Sequence, residues 1–123
     1  MKSPLYTIIG MALLLFASCG QQHQAKEVIS DFLDKHVTEP SARSSITVEK
    51  FDSTRVLSDS VIQRMRANAD TVKRYVTPIH YAPGDISRKL YVARISYTVH
   101  DVEFSDTYYL DDQLTRVIAF KSN

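Results

Sequence analysis

The C-terminal third of the chain alternates between apolar and polar side chains with a period of two residues. Residues 91, 93, 95, 97 and 99 are all apolar or aromatic, and most of the residues between them are polar. A strand with this pattern buries one face and exposes the other to water. The pattern therefore predicts a half-buried antiparallel strand over residues 91–99.

Two further segments continue this strand pattern. Apolar and polar residues alternate over residues 102–110, and Asp106 is the one charged residue on the apolar face. Residues 111–113, with the sequence Asp-Asp-Gln, have the composition of a turn, and residues 114–121 return as a strand. We expect three consecutive antiparallel strands that form a meander.

Upstream of the meander, apolar residues recur at steps of three and four, which is the spacing of one face of an α-helix. One such stripe covers residues 25–37 and ends shortly before Pro40, because proline excludes its predecessor from helical geometry. A second stripe covers residues 60–75, where Ser60 and Gln63 fit a capping box. Two helices are therefore predicted.

Residues 46–57 lie between these helices and are enriched in β-branched residues. They predict two short strand pieces broken by a turn or bulge at residues 52 and 53. The order of helix, short strand, helix and meander predicts an α+β fold, with an antiparallel sheet of three to four strands packed against the first helix. Residues 25–123 are expected to form a single domain.

The first 18 residues have the layout of a secretory signal peptide. Lys2 supplies a positive charge, residues 5–17 are apolar, and the small residues Ala17 and Ser18 precede Cys19. An apolar stretch of about 13 residues is shorter than the roughly 20 that span a bilayer as a helix. We therefore expect this segment to be cleaved rather than to remain as a transmembrane anchor.

Cys19 is the only cysteine, so the exported domain cannot form an internal disulfide. The string from Leu15 to Cys19, Leu-Phe-Ala-Ser-Cys, resembles a bacterial lipobox, in which the cysteine is diacylated on sulfur and becomes the new N-terminus. The resemblance implies a protein attached to the lipid bilayer through acylated Cys19. Two or three acyl chains anchor stably, whereas one binds marginally.

Residues 19–24 are then the lipidated cysteine and a polar tether, because residues 20–24 lack apolar periodicity. Gly20 follows the cysteine where an Asp, by resemblance to known lipoproteins, would imply retention in the inner membrane. No acidic run of the kind found in surface-export signals follows either. We expect a bacterial cell-envelope protein on the outer membrane, facing the periplasm.

Three features together resemble small Bacteroidetes-type lipoproteins with cystatin-like or NTF2-like domains. They are the lipobox, the passage from Phe32-Leu33 to Glu39-Pro40-Ser41 followed by a strand, and the closing segment 108–118. Members of that group are largely of unassigned function. The resemblance therefore implies architecture and location, and it supplies no catalytic residues.

Charge and composition argue against several functions. The chain has 15 Lys and Arg and 14 Asp and Glu, and Lys2 is the one charge in the signal, so 14 of each remain after cleavage and nucleic acid is not expected as a partner. The mature part has only Gly20 and Gly84, too few for a phosphate-binding loop. Four histidines lack metal-ligand spacing, so we expect neither metal nor cofactor. They are His23, His36, His80 and His100.

Tyrosine is concentrated toward the C-terminus, where five of the seven lie after residue 80. Tyrosines on adjacent strands either form cross-strand pairs that stabilise a sheet or line a pocket or contact surface. Tyr109 should lie on the face opposite Tyr108. The candidate pocket or contact residues are Tyr97, Phe104, Asp106, Tyr108 and Tyr109.

The leading hypothesis is a non-catalytic module that presents the meander, or the groove between sheet and helix, to a protein, peptide or small ligand. One alternative is an NTF2-like enzyme or small-ligand binder with a pocket in a curved sheet, in which Asp106 is the candidate acid or base. Another is a cystatin-like protease inhibitor, although the glycine-rich N-terminal segment and Gln-x-Val-x-Gly loop of typical cystatins are missing. A closed pocket around Asp106 would favour the enzyme or small-ligand alternative, and a water-facing Asp106 would remove it.

Overall fold

The computed structural model describes the backbone of residues 3–123 and the side chains of residues 19–123. The predicted signal peptide, residues 1–18, lies outside the described side chains, so it stays a prediction. The elements in chain order are helix α1 (Ser3–His36), a 3-10 turn (Pro40–Ala42), strand β1 (Thr47–Thr54), helix α2 (Asp59–Ala69), strand β2 (Leu90–Val99), strand β3 (Val102–Leu110) and strand β4 (Val117–Ser122).

The four strands form one antiparallel sheet in the order β1-β2-β3-β4, so each strand pairs with its neighbours in sequence. The predicted α+β fold and its C-terminal meander are confirmed. The predicted start of the last strand at residue 114 is wrong, because Asp111 bonds to the backbone of residues 115 and 116 and β4 begins at residue 117. The turn between β2 and β3 is a two-residue connection in which His100 and Asp101 have φ of 50° and 64°. Two left-handed residues of this kind match the right-handed twist of the flanking strands.

Helix α1 covers the inner face of the sheet with the predicted apolar stripe. Ala25, Ile29 and Leu33 have no exposed surface, and Phe32 and Val37 are also buried. These side chains pack against inward-facing residues of all four strands, which form the main core. The helix predicted over residues 25–37 is confirmed, and no helix within the described part of the chain is long and apolar enough to cross a membrane.

Residues 20–24 differ from the expected aperiodic segment, because their backbone belongs to α1. The side-chain amide of Gln21 donates a hydrogen bond to the Tyr91 hydroxyl at 3.2 Å. The amide of Gln24 donates to the carbonyl oxygen of Leu114 at 3.3 Å. Both glutamines thus connect this part of the helix to the sheet, and the role of the segment as a tether stays a prediction.

Helix α2 lies on the other face of the sheet, where its buried residues Ile62 and Met65 pack against Ile118 and Ala119. The N-cap is Ser58 rather than Ser60, and its hydroxyl accepts from the backbone N–H of Val61. The predicted end of this helix, residue 75, is wrong, because the helix ends at residue 69.

The early end of α2 follows from pairing between distant parts of the chain. The N–H of Thr38 donates to the carbonyl of Arg74 at 2.9 Å, and the N–H of Val76 donates to the carbonyl of His36 at 2.6 Å. These bonds flank an isolated antiparallel bridge between Val37 and Tyr75, which holds the segment after α2 against the end of α1. The long-range bonds therefore override the local helical spacing.

Strand β1 is one continuous strand rather than two pieces. Its pairing with β2 shifts between Val48 and Lys50, which places a bulge at Glu49. The break predicted at residues 52 and 53 is wrong in position, because Asp52 and Ser53 keep regular partners in β2. A bulge adds one residue to the strand, so apolar and polar residues still alternate on each side of it, but the alternation is shifted by one residue.

Candidate functional site

Asp106 lies at the centre of β3 on the inner face of the sheet, with no exposed surface. Its neighbours across the sheet are Ile95 of β2 and Ser122 of β4. A carboxylate in this position loses its water, which costs several kcal/mol unless charges and hydrogen bonds replace the solvent. The surroundings of Asp106 must therefore be polar.

Three side chains satisfy the two carboxylate oxygens. Arg74 donates from Nη2 to Oδ1 in a short, charge-assisted contact. The Tyr75 and Tyr97 hydroxyls donate to Oδ2 at 2.6 and 2.9 Å. Arg74 also donates from Nε to the Tyr97 hydroxyl at 2.9 Å. With Tyr108 these residues form a connected set, called here the Asp106 cluster.

The direction of each hydrogen bond in the Asp106 cluster follows from the number of protons available. A phenol has one proton, and Tyr75 gives its proton to Asp106. The 2.8 Å contact between the Tyr75 and Tyr108 hydroxyls must therefore have Tyr108 as the donor. The hydroxyls of Tyr75 and Tyr97 lie 3.1 Å apart with both protons already engaged by the carboxylate. With the Asp106 carboxylate as the acceptor for both phenols, each hydroxyl proton of the cluster has an acceptor.

Burial makes the tyrosines of this cluster difficult to ionise. It raises the pKa of Tyr97 to about 12, and the charge of Asp106 acts in the same direction. Burial likewise raises the pKa of Tyr75 and Tyr108 well above the ordinary range. Burial lowers the pKa of Arg74, but the hydrogen bond to Tyr97 and the charge of Asp106 outweigh it and raise the pKa. The phenols and the guanidinium thus keep their protons at neutral pH, where they act as fixed hydrogen-bond donors.

The structure brings together three of the five candidate residues: Tyr97, Asp106 and Tyr108. Phe104 lies beside them, with its ring centre 6.1 Å from that of Tyr97 and 4.3 Å from the Arg74 guanidinium carbon. Tyr109 is on the opposite face, where it is half-buried and packs beneath α2. A ligand-binding role for these five residues stays a prediction.

Asp106 fits neither of the two arrangements considered from the sequence, a closed pocket around its carboxylate or exposure to water. It does not point to water, and within the described residues it does not line the cavities of about 450, 300 and 290 Å³. Sequence reasoning missed its two principal partners, Arg74 and Tyr75, because both were placed on a helix. The one available signal was chemical: an aspartate on an apolar strand face needs a cation nearby.

A cleft of about 450 Å³ lies between α1, the loop of residues 80–82 and the start of β4. We call it the α1–β4 cleft. Its volume falls within the range of small-ligand sites. The lining residues are Val28, Asp31, Phe32, Lys35 and His36 of α1, His80, Tyr81 and Ala82 of the loop, and Thr115, Arg116 and Val117 at the start of β4.

The α1–β4 cleft combines an apolar floor with cationic side chains. Phe32 and Val117 are buried beneath it, whereas Lys35 is exposed at its edge. Nδ1–H of His36 donates to the carbonyl of Phe32 at 2.8 Å, and the two rings stack 4.1 Å apart. His36 is therefore half-buried and hydrogen-bonded within α1. Lys35 and Arg116 outnumber the one carboxylate of the lining.

Arg116 also builds one wall of the α1–β4 cleft. Its guanidinium donates to the carbonyl of Ala82 at 3.1 Å and to the carbonyl of Asp85. The same side chain lies 3.2 Å from the position that a Cβ would occupy at Gly84, whose φ is +143°. This conformation favours glycine. Arg116 therefore holds the loop of residues 82–85 against β4.

Tyr81 forms the other wall of the α1–β4 cleft. The guanidinium carbon of Arg66 lies 4.3 Å from the centre of its ring. Burial raises the pKa of Tyr81 to about 12, although the charge of Arg66 opposes this effect. The Tyr81 hydroxyl is buried and has no hydrogen-bond partner among the described residues. This oxygen has almost no exposed surface, so a group bound in the cleft does not reach it.

Comparison with known proteins gives no relative: no family model, curated protein or solved structure matches the chain. Among residues 19–123, no three His, Cys, Asp or Glu side chains are grouped so that they could hold a metal ion. His80 lines the α1–β4 cleft, whereas Nε2 of His100 lies 2.7 Å from a carboxylate oxygen of Glu39. Any functional assignment therefore has to be argued from geometry and chemistry.

Proposed function

We propose that this chain is a non-catalytic binding module of the bacterial cell envelope, anchored by acylated Cys19. In this proposal the α1–β4 cleft holds a small ligand with an apolar body and an anionic group. The observation that carries the proposal is the cleft itself, because it joins a buried apolar floor to cationic side chains.

The chemistry of the cleft lining favours a ligand with two unlike ends. An apolar body would pack on Phe32 and Val117, where it would cover apolar surface near the cleft floor. An anionic group would pair with Lys35 at the edge of the cleft. A cationic ligand would meet an excess of like charge from Lys35 and Arg116.

The Asp106 cluster supports a non-catalytic assignment. Both oxygens of the carboxylate already accept hydrogen bonds, and the tyrosine hydroxyls around it have pKa values too high for proton exchange near neutrality. A general base must lie within hydrogen-bond reach of a substrate proton. Asp106 is enclosed by its own partners, which favours a structural role over the NTF2-like enzyme alternative.

Binding in the cleft is tested by native mass spectrometry of the lipidated protein extracted from its own envelope in a non-denaturing detergent. Ala82 is exposed and lines the cleft, so Ala82→Trp would fill part of it. Ala67 is exposed on α2 outside the cleft lining, so Ala67→Trp is the matched control. We expect a bound small molecule in the wild type and in Ala67→Trp, and its loss in Ala82→Trp. Equal retention in both variants would contradict the assignment of the cleft.

The lipid anchor is tested by labelling cells with radioactive palmitate. Cys19 is exposed, and no other sulfhydryl can accept the label because the chain has one cysteine. We expect label on the wild type and on Ser18→Ala, which keeps a small residue before the cysteine. Cys19→Ser should carry none. Equal labelling of Cys19→Ser and wild type would remove the anchor from the proposal.

A further inference from the structure

Two of the four histidines line the α1–β4 cleft, and they come from two different segments. His36 is the last residue of α1 and is half-buried, whereas His80 is exposed in the loop of residues 80–82. His23 and His100 do not belong to the cleft lining. The cleft therefore contains two side chains of the type that gains a positive charge in mildly acidic solution.

The hydrogen bond of His36 determines what its ring offers to a ligand. The carbonyl oxygen of Phe32 can only accept, so the proton of the neutral ring is on Nδ1, 2.8 Å from that oxygen. Nε2 of the neutral ring is then an acceptor and cannot donate to an anionic group. Protonation turns Nε2 into a donor and leaves the bond to Phe32 in place. Acidification therefore gives His36 a donor for an anion without turning the ring.

The surroundings of His36 are compatible with a positively charged ring. The C-terminal end of a helix favours cations, and the face of the Phe32 ring, with its centre 4.1 Å from that of His36, attracts them. Lys35 repels such a charge, but it is exposed, so water and salt screen it. The segment after α2 also packs here, and its Arg74 is paired with Asp106. The end of α1 can therefore hold a protonated histidine.

We propose that His36 and His80 bind the anionic group of the ligand, so that the α1–β4 cleft holds this ligand more tightly near pH 5 than near pH 8. This inference rests on the proposed function, because it concerns the ligand of the same cleft. The cations Lys35 and Arg116 and the carboxylate of Asp31 give the lining a net charge of +1 while both histidines are neutral. Protonation of both raises it to +3, which strengthens the attraction for an anion.

The other ionisable groups at the cleft keep their charge in this interval, where histidine is the side chain that titrates. Tyr81 stays neutral, because burial raises its pKa to about 12. Arg66 lies behind it, with its guanidinium carbon 4.3 Å from the ring centre. Asp70 accepts a hydrogen bond from the backbone N–H of residue 79 at 3.0 Å, next to His80. A change in anion affinity between the two pH values therefore reports on the histidines.

A sulfonate is a suitable probe, because it stays ionised throughout this pH range. The compound para-fluorobenzenesulfonate has an apolar ring and one anionic group, and fluorine NMR measures its dissociation constant. The titration uses the lipidated protein in a non-denaturing detergent near pH 8 and near pH 5. Ala82→Trp, which fills part of the cleft, gives the background from the detergent and from other surfaces. We expect wild-type binding above this background that is severalfold tighter near pH 5.

Histidine variants identify the groups that respond to pH. The amide introduced by His36→Asn can donate to the Phe32 carbonyl as Nδ1 does, but it does not titrate. His80→Gln removes the second titrating ring, and His100→Gln is the matched control outside the cleft. We expect equal affinity at both pH values when His36→Asn and His80→Gln are combined, and the wild-type gain near pH 5 in His100→Gln. A gain that persists in the double variant would overturn the inference.

The titration of His36 itself gives a readout that a purely structural role would not move. If protonation strengthens anion binding, the bound anion must favour protonation by the same factor. We expect the probe to move the NMR titration midpoint of the His36 Cε1 proton to higher pH and to leave that of His100 in place, and an unmoved His36 midpoint would overturn the inference. Equal probe binding in wild type and Ala82→Trp would remove the cleft and this inference together. Binding above background that is equally tight at both pH values would remove the inference alone.

Discussion

The hydroxyl of Tyr75 lies 2.6 Å from Oδ2 of Asp106 and joins the segment after α2 to the centre of the sheet. The same hydroxyl accepts the proton of Tyr108 at 2.8 Å. One phenolic oxygen therefore satisfies a buried donor and a buried acceptor at once. This relationship makes the Asp106 cluster sensitive to the removal of single atoms.

The first prediction concerns that hydroxyl. Tyr75→Phe should lower the free energy of unfolding by about 1–3 kcal/mol, because it leaves Tyr108 without an acceptor and Asp106 with one donor fewer. Tyr109→Phe, on the opposite face of β3, should change it by less than about 0.5 kcal/mol. Urea denaturation measures both values. Similar losses in the two variants would contradict the hydrogen-bond assignment.

The second prediction concerns the buried ion pair. Arg74→Met should lower the free energy of unfolding by about 3–5 kcal/mol, because it leaves the Asp106 carboxylate buried without its cation. Arg64→Met, at an exposed position of α2, serves as the control and should be nearly neutral. Combining Arg74→Met with Asp106→Leu should recover part of the loss. An additive loss in the double variant, measured by the same denaturation, would refute the pairing.

The third prediction concerns alkaline pH. Folding raises the pKa of Tyr97 from 10.0 to about 12, so the folded state favours the protonated phenol. This contribution is complete below about pH 10 and is lost as the pH rises through about 12. We expect Tyr97→Phe to lose less of its free energy of unfolding than the wild type across that interval. Parallel stability curves for the two proteins would be the contrary result.

The fourth prediction concerns acid pH and the turn between β3 and β4. Burial raises the pKa of Asp111, but hydrogen bonds from the Thr115 hydroxyl and from the backbone N–H groups of Arg116 and Thr115 outweigh it and lower the pKa below 3.8. The resulting stability is present above about pH 4 and is lost as the pH falls through the lowered value. The gap in unfolding free energy between wild type and Asp111→Asn should therefore narrow on acidification. A gap that is independent of pH would argue against this role.

The fifth prediction concerns the charge of the proposed ligand. Lys35→Glu should reduce the affinity of the α1–β4 cleft for its ligand severalfold, because an exposed ion pair contributes about 0.2–1 kcal/mol and the glutamate replaces it with repulsion. Lys73→Glu makes the same charge change at an exposed position outside the cleft lining. Native mass spectrometry of both variants gives the bound fraction. An unchanged bound fraction in Lys35→Glu would exclude an ion pair between the ligand and Lys35.

The local pattern was sufficient for much of the fold. Strict alternation predicted the meander and placed Asp106 on the inner face, and the spacing of apolar residues predicted the buried stripe of α1. The end of α2 was not predictable locally, because it depends on the bond between Val76 and the distant carbonyl of His36. The bulge at Glu49 depends likewise on pairing with β2.

The candidate sites were less accessible to sequence reasoning than the fold. The polar composition of residues 111–113 predicted a turn. In the structure the Asp111 side chain accepts hydrogen bonds from the backbone N–H groups of Thr115 and Arg116, across the connection between β3 and β4. The partnership of Arg74 with Asp106 joins residues 32 positions apart, and periodicity contains no information about it. The α1–β4 cleft combines three segments, none of which has a motif of its own.

The central claim, that the α1–β4 cleft holds a small anionic ligand, is tested most directly by identifying what the wild-type protein carries. The lipidated protein would be isolated from its native envelope without denaturation, and the bound molecule would be released in the mass spectrometer and fragmented. The account predicts one small molecule with an apolar part and a negative charge. Release of a cationic molecule, or a spectrum of the lipidated chain alone, would contradict it.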